Sequence, residues 1–225
     1  MTPPIRLAAL DMAGTTVSDQ GAVEEAFQSA LDAVGLVAGS LMDDPGAYIR
    51  RTMGQSKIEV FTELLGGDRH RADAANVAFE SAFDQAVDRG EVAALPGAEN
   101  AFAALRAGGV RLCLTTGFSP ATRDRIIDAL GWRGLVDLAL SPADAGRGRP
   151  WPDMILAAVL RLRIDDVAEV AVAGDTTSDL LAGTRSGASV VAGVLTGAHS
   201  ADELASAPHT HLLDSIADLP DLVLG

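Results

Sequence analysis

Apolar residues along this chain follow two rhythms. Short, nearly continuous runs stop at small or polar residues. They are Ile5 to Leu10 before Asp11, Val110 to Leu114 before Thr115 and Thr116, Val136 to Leu140 before Ser141, Val167 to Ala173 before Gly174 and Asp175, and Ser189 to Val194 before Leu195 and Thr196. Each has the length of a buried strand. Between most of them lie stretches of helical periodicity: Ala98 to Ala107, Ala121 to Leu130 and Asp153 to Leu162. Strands alternating with helices predict βαβ units, and so an α/β fold with a Rossmann-like parallel sheet and helices on both faces.

One stretch breaks the alternation. From about Ser18 to Ala94 no strand pattern is visible, and the periodicity is helical over Val23 to Val34, Tyr48 to Leu65 and Ala72 to Arg89. This predicts an α-helical insert after the first strand. Leu95-Pro96-Gly97-Ala98 punctuates the return to the alternating pattern. The expected organisation is a core piece over 1–17, an inserted helical cap over 18–94 and the rest of the core over 95–225.

Composition narrows the function. The net charge is −14, which argues against nucleic acid or an anionic membrane surface as partner, since both need a basic face. It also means that any phosphate-handling site must supply its own local positive charge. Aromatics are only 4% of residues, so Ala, Val, Leu and Ile must build most of the core. The single cysteine, Cys113, lies in an apolar run and reads as a buried filler. No run is long enough to span a bilayer, and Met1 to Arg6 lacks the pattern of a secretory signal. A cytoplasmic protein is the expectation.

The polar residues that end the strands are the candidates for chemistry, because open parallel sheets bind ligands at that edge. Asp11 precedes Met12-Ala13-Gly14-Thr15-Thr16. A carboxylate there can act as a covalent nucleophile toward phosphorus, with backbone N–H groups of the following loop facing the phosphate. Alone, an Asp at a strand end is more often a turn or cap residue. Gly174-Asp175-Thr176-Thr177-Ser178-Asp179 places two carboxylates four apart, as hard ligands for Mg²⁺ or as helix-capping acids. Thr115-Thr116-Gly117 offers a hydroxyl and a flexible backbone to phosphoryl oxygens. Arg149, in Gly148-Arg149-Pro150-Trp151-Pro152, offers a permanent charge. Arg147 is close enough to compete for that role. His209 and His211 alternate on an expected strand and read as structural or solvent-facing.

A nucleophilic Asp, a Thr, a basic residue and a GDxxxD pair, each after a strand, resemble the haloacid dehalogenase superfamily over essentially the whole chain, and the helical insert resembles its cap. The resemblance implies that Asp11 attacks phosphorus and that Mg²⁺ is held by Asp11, the Ala13 carbonyl and Asp175. Asp179 would orient the metal shell. Thr116 and Arg149 would hold the transferring oxygens.

The branch follows from position 13. Phosphatases of the superfamily usually carry an acid there to protonate the leaving oxygen; here it is Ala13. Asp11 to Val17 is instead similar to phosphonoacetaldehyde hydrolase (phosphonatase). In that family a cap lysine forms a Schiff base, so that the carbon leaves as an enamine. Met53-Gly54-Gln55-Ser56-Lys57 is similar to the motif around that lysine and implies Lys57 in its role. Gly14, Thr15, Met53, Gly54, Thr115 and Gly117 would then line the substrate. The chain departs from the family at Val60, Phe118 and about Gly21, where the family has His, Tyr and Cys. The expected partner is a small phosphonate or phosphate ester, with a homodimer as a further expectation. The alternatives are a phosphomonoesterase for a small metabolite and a non-catalytic phosphometabolite-binding protein.

Overall fold

The computed structural model describes residues 3–36 and 44–225. In chain order the strands are β1 (Leu7–Asp11), β2 (Val17–Ser18), β3 (Ala93–Ala94), β4 (Arg111–Thr115), β5 (Leu138–Leu140), β6 (Val170–Gly174), β7 (Val190–Val194) and β8 (His211–Leu213). The helices are α1 (Ala22–Ala33), α2 (Pro45–Arg51), α3 (Lys57–Leu64), α4 (Arg69–Asp88), α5 (Ala98–Ala107), α6 (Pro120–Ala129), α7 (Pro142–Ala145), α8 (Asp153–Leu162), α9 (Thr177–Ser186), α10 (Ala201–Ala205) and α11 (Leu219–Leu224).

Six strands form one sheet in the order β5-β4-β1-β6-β7-β8, and every pairing in it is parallel. Successive residues of β1 and β4 serve opposite faces. Ala8, Leu10, Leu112 and Leu114 join one core cluster, while Leu7, Ala9 and Cys113 join the other. A strand buried on both sides has no polar positions to alternate, which is why these runs read as continuously apolar. The expected α/β architecture is therefore present. The chain builds outward from β1 in one direction through β4 and β5, then returns to β6 and builds the other way. This reversal leaves a crevice at the carboxyl ends of β1 and β6.

Strand ends run a little further than the apolar pattern suggested. Asp11 and Thr115 are the last residues of their strands and pair with each other across the ladder. The polar side chain ends the apolar run, but the backbone keeps its hydrogen bonds for one more residue. At the other end, Val167–Glu169 forms a 3₁₀ turn before β6, capped by the Asp166 side chain, which accepts the Ala168 N–H at 2.9 Å.

The stretch between β2 and β3 is helical, with two corrections. First, β2 and β3 pair as a short antiparallel ribbon, where no strand was expected. Two residues per strand are too few to show a period. Second, the helix expected over Tyr48 to Leu65 is broken into α2 and α3. Gly54 sits at φ +79° in the break, a left-handed conformation that ends a helix and that glycine tolerates best. Here Phe27, Phe61, Phe79 and Phe83 form a chain of ring contacts 4.9–6.3 Å apart. Full burial of each ring is worth about 1.5–3 kcal/mol. The scarce aromatics of this chain are thus concentrated where helices α1, α3 and α4 must hold together. Residues 37–43 of the expected insert lie outside the described residues.

Candidate active site

The carboxyl edge of β1, β4 and β6 gathers most of the expected residues around one cavity of about 360 Å³. Asp11, Ala13, Gly14, Met53, Gly54, Lys57, Thr116, Gly117, Arg149 and Asp175 all line it. Thr15, Thr115 and Asp179 do not. Thr15 lies underneath, donating its hydroxyl to Asp175 Oδ1 at 3.1 Å. Thr115 is buried with its hydroxyl directed to the Leu10 carbonyl at 3.5 Å. Thr115 thus supports the edge rather than facing the cavity. The strand's period of two explains this, since neighbours 115 and 116 take opposite directions.

Arg149, not Arg147, enters the site. Its guanidinium bonds to both Asp11 and Asp179 and is almost wholly buried. Arg147 is exposed and engaged by Asp153 at 2.8–3.0 Å. The Arg149 Nε is buried without a partner, a donor left over in a place where an unmet hydrogen bond is costly. The side chain therefore presents both a fixed charge and an unused N–H.

Asp175 is held by Thr15 and by the Ala198 N–H, which donates to its Oδ2 at 2.7 Å. Glycine is required on both sides of it. A Cβ at Gly14 would lie 2.5 Å from Asp175 Oδ2, and one at Gly197 would also collide with this carboxylate. Asp179, expected to orient the metal shell, is held by two protein partners. It closes a capping box with Thr176, accepting the Thr176 N–H at 3.1 Å, while its other oxygen takes Arg149. Both carboxyl oxygens thus have protein partners, and Asp179 shares Arg149 with Asp11.

Three buried carboxylates share a single buried guanidinium. Burial raises the Asp11 carboxyl well above its ordinary range, and the charges of Asp179 and Asp175 add to this despite Arg149. Burial, reinforced by Asp179, pushes Asp175 up to about 6. The site holds more negative charge than it balances. Among the described residues no three His, Cys, Asp or Glu side chains converge to ligate a metal. Asp11 and Asp175 line the cavity together with Ala13, whose backbone carbonyl would be the third oxygen. This hard-oxygen set fits a Mg²⁺ ion, which commonly keeps several waters.

Lys57 reaches the same cavity from the first turn of α3. Its Nζ lies 5.3 Å from the Phe27 centroid, 5.8 Å from Phe79 and 5.3 Å from Phe118. The three ring faces favour the ammonium, but desolvation dominates. Burial, with the Arg149 charge next, lowers Lys57 to about 8. The loop before α3 touches the core directly. The Lys57 N–H donates to the Gly117 carbonyl at 3.4 Å, and Gln55 Nε2 donates to Ser178 Oγ at 3.4 Å. A Cβ at Gly117 would run into the Gln55 carbonyl.

Several residues around the cavity escaped the sequence reading. Asp19 and Glu24 line it, and Phe27 and Phe79 enclose Lys57. His199 is buried; its Nδ1 accepts the Thr177 N–H at 3.1 Å and its Nε2 lies 3.2 Å from the Arg50 carbonyl. It joins the N-terminus of α9 to the end of α2. Only Asp19 left a signal, an acid just after the first motif. His209 and His211 are exposed, with partners at Ala207 and Thr210, and only His211 belongs to β8.

A parallel sheet with buried carboxylates and an arginine at its switch point defines a hydrolase of the haloacid dehalogenase class. The chain belongs to the haloacid dehalogenase-like hydrolase family, whose profile matches residues 5–187. Its relatives carry two kinds of name. The "Probable phosphatase IndB" of Dickeya dadantii is 28% identical over 216 residues, 95% of this chain and 91% of that protein. A phosphonoacetaldehyde hydrolase of Pseudomonas putida is 32% identical over 155 residues, 58% of this chain and 56% of that protein. The aligned region thus spans little more than half the length of the phosphonoacetaldehyde hydrolase. Among solved structures, a hydrolase from Pseudomonas syringae superposes with a TM-score of 0.82 at 24% identity, covering 96% of both chains. A phosphonoacetaldehyde hydrolase-like protein from Oleispira antarctica gives 0.83 at 22%, covering 99% of this chain and 92% of that one. These likenesses establish the fold. The protein is an enzyme, a phosphatase-like or phosphonatase-like hydrolase. Among the described residues no helix is long and apolar enough to cross a membrane.

Proposed function

We propose that this enzyme is a Mg²⁺-dependent phosphonatase-like hydrolase that cleaves the P–C bond of phosphonoacetaldehyde or a closely related carbonyl-bearing phosphonate. The observation that carries this reading is the pairing of Ala13 with Lys57 in one cavity. The position of the usual acid holds a methyl group, while a buried amine with a lowered proton affinity faces the same space. An amine attacks a carbonyl only when unprotonated, and the resulting iminium withdraws electrons from the departing carbon.

In this reading residues 18–94 act as a cap on a core formed by 1–17 and 95–225. Asp11 attacks phosphorus in line and becomes the aspartyl phosphate. Arg149 offers its unused Nε–H, and Thr116 its place on the cavity wall, to the transferring oxygens. Asp179 holds Arg149 at Asp11. Asp175 and the Ala13 carbonyl are the remaining ligands for Mg²⁺, which when bound would offset the negative charge that repels a phosphoryl group. Gly14, Gly54 and Gly117 let the loops approach the substrate closely, and Met53 closes the apolar side. Positioning and charge neutralisation supply most of the rate enhancement.

Phosphate release should be measured with phosphonoacetaldehyde and a panel of phosphomonoesters, for wild type and Asp11→Asn. Wild type should favour the phosphonate. Asp11→Asn should lose turnover by at least about 10³-fold while staying folded, because the amide is a poor nucleophile of nearly equal size. A second reading, phosphomonoester hydrolysis, is favoured by the alignment with the Dickeya phosphatase over 95% of the chain. Brisk turnover of simple esters with none of the phosphonate would establish it instead.

A further inference from the structure

The family to which the first motif is similar has His, Tyr and Cys at positions where this chain has Val60, Phe118 and about Gly21. None of these replacements can carry a proton. Imine chemistry moves protons at every stage, so a site built on Lys57 needs another group to do it.

The ionisable residues lining the cavity are Asp11, Asp19, Glu24, Lys57, Arg149 and Asp175. The phosphoryl half of the reaction accounts for Asp11, Arg149 and Asp175, and Lys57 is the amine. Asp19 and Glu24 remain. Glu24 is exposed in the first turn of α1. Asp19 is half-buried between β2 and α1, and the Gly21 N–H donates to its Oδ1 at 3.1 Å, fixing the carboxyl against the cavity wall. Its backbone carbonyl also accepts the Ala22 N–H at 2.8 Å, so the turn itself is pinned.

We propose that Asp19 is a catalytic proton-transfer residue that serves the Lys57 imine. The proposal rests on the reading of Lys57 given above. Lys57 Nζ first adds to the substrate carbonyl to give a neutral carbinolamine. The carbinolamine C–O bond then breaks as the nitrogen lone pair forms C=N. Asp19 gives its proton to the departing oxygen, which leaves as water. The iminium carries the positive charge and Asp19 the negative one. After P–C cleavage the neutral enamine takes a proton from solvent at its carbon and becomes an iminium again; the Asp19 carboxylate then takes a proton from the water that adds to C=N, the earlier bond changes reverse, and the neutral amine and acid return.

Its environment suits this cycle. Burial, helped by the Glu24 charge, raises the Asp19 carboxyl above its ordinary value, while the Gly21 amide and Lys57 hold it down. The acid and the carboxylate are therefore closer in free energy than on an open surface.

The test uses borohydride trapping of phosphonoacetaldehyde in an Asp11→Asn background, where P–C cleavage does not drain the imine. The trapping rate is compared for Asp19, Asp19→Asn and Asp19→Glu. Asp19→Asn should slow trapping by about 10²-fold, and Asp19→Glu should restore most of it. The charged neighbours Asp11, Glu24, Lys57, Arg149 and Asp175 differ in no other way between the Asn and Glu forms. A purely electrostatic role predicts the opposite sign, because removing a negative charge beside Lys57 lowers its proton affinity and exposes more free amine. Trapping in Asp19→Asn as fast as in its parent, or faster, overturns the assignment. No trapping in wild type or in Asp11→Asn would instead sink the imine reading, and Asp19 with it.

Discussion

Lys57 and Phe118 meet where helices α1, α3 and α4 reach the sheet edge. The Lys57 Nζ lies 5.3 Å from the Phe118 ring centroid, and the Lys57 N–H donates to the carbonyl of Gly117, the residue before it. Phe118 follows β4 in the core, yet its ring also stacks on Phe79 and contacts Phe83 of α4. The amine pocket is thus built jointly by helices α1, α3 and α4 and the loop that follows β4.

The lowered proton affinity of Lys57 has a definite sign in both rate and stability. Its ordinary value is 10.5 and its value in the folded protein is about 8. At pH 7 about a tenth of the amine is free, so acylation of Lys57 by a small neutral ester, which needs only the free amine, should rise roughly tenfold from pH 7 and level off above about 9. For stability, below about 8 the folded and unfolded states both carry the proton, and the buried charge costs its full amount. The cost falls away as pH rises from about 8 to 10.5. Lys57→Met should therefore raise the melting temperature at pH 7, by a stabilisation of order ~2 kcal/mol, with a smaller gain near pH 10. Equal gains at both pH values would show that the ammonium is not penalised.

Ala13→Asp separates the two chemistries. A carboxyl at that position could protonate an alkoxide leaving group, so hydrolysis of simple phosphomonoesters should rise by about 10-fold or more. Cleavage of a phosphonate through an iminium gains nothing from it and should stay flat or fall. Mg²⁺ affinity must be measured in parallel, because Ala13 supplies a proposed carbonyl ligand. Faster phosphonate turnover in this variant would count against the imine.

Gly54→Ala tests the contact between the α2–α3 loop and the core. The residue sits at φ +79°, and its new Cβ would lie 2.7 Å from Thr176 Oγ1. The left-handed backbone alone costs an alanine about 1 kcal/mol. The larger effect is displacement of Lys57, so kcat/KM should drop by roughly 10²-fold with a melting temperature only a few degrees lower. Thermal unfolding and steady-state kinetics on the same preparation would show whether the loop can move without cost.

Chelation should abolish turnover, and Mg²⁺ should restore it. Asp175→Ala should weaken the Mg²⁺ concentration dependence by at least about tenfold. Asp179→Ala should instead act through Arg149 and the α9 cap, lowering kcat and melting temperature with little change in the Mg²⁺ requirement. Titrating activity against Mg²⁺ for the two variants distinguishes a ligand from a residue that holds Arg149.

The sequence alone determined the α/β class, the chain order of the strands and the helical character of the stretch between β2 and β3. Strands buried on both faces must be apolar along their length, and amphipathic helices must show a 3.6 period, so burial writes itself into the pattern. It also placed Asp11, Thr116, Arg149 and Asp175 at one edge, because every strand of a parallel sheet ends on the same side. Three things only the tertiary structure decided. Asp179 could be ligand or cap from its spacing alone, and the fold sets its two oxygens against Thr176 and Arg149. Arg147 and Arg149 were indistinguishable on paper, and the position of Asp153 takes Arg147 away from the site. The surroundings of Lys57 were invisible, since Phe27, Phe79 and Phe118 come from separate elements and look like ordinary core residues in each. A local period records which residues are buried. It does not record which buried residues meet, and the proton affinity of an amine depends on that meeting.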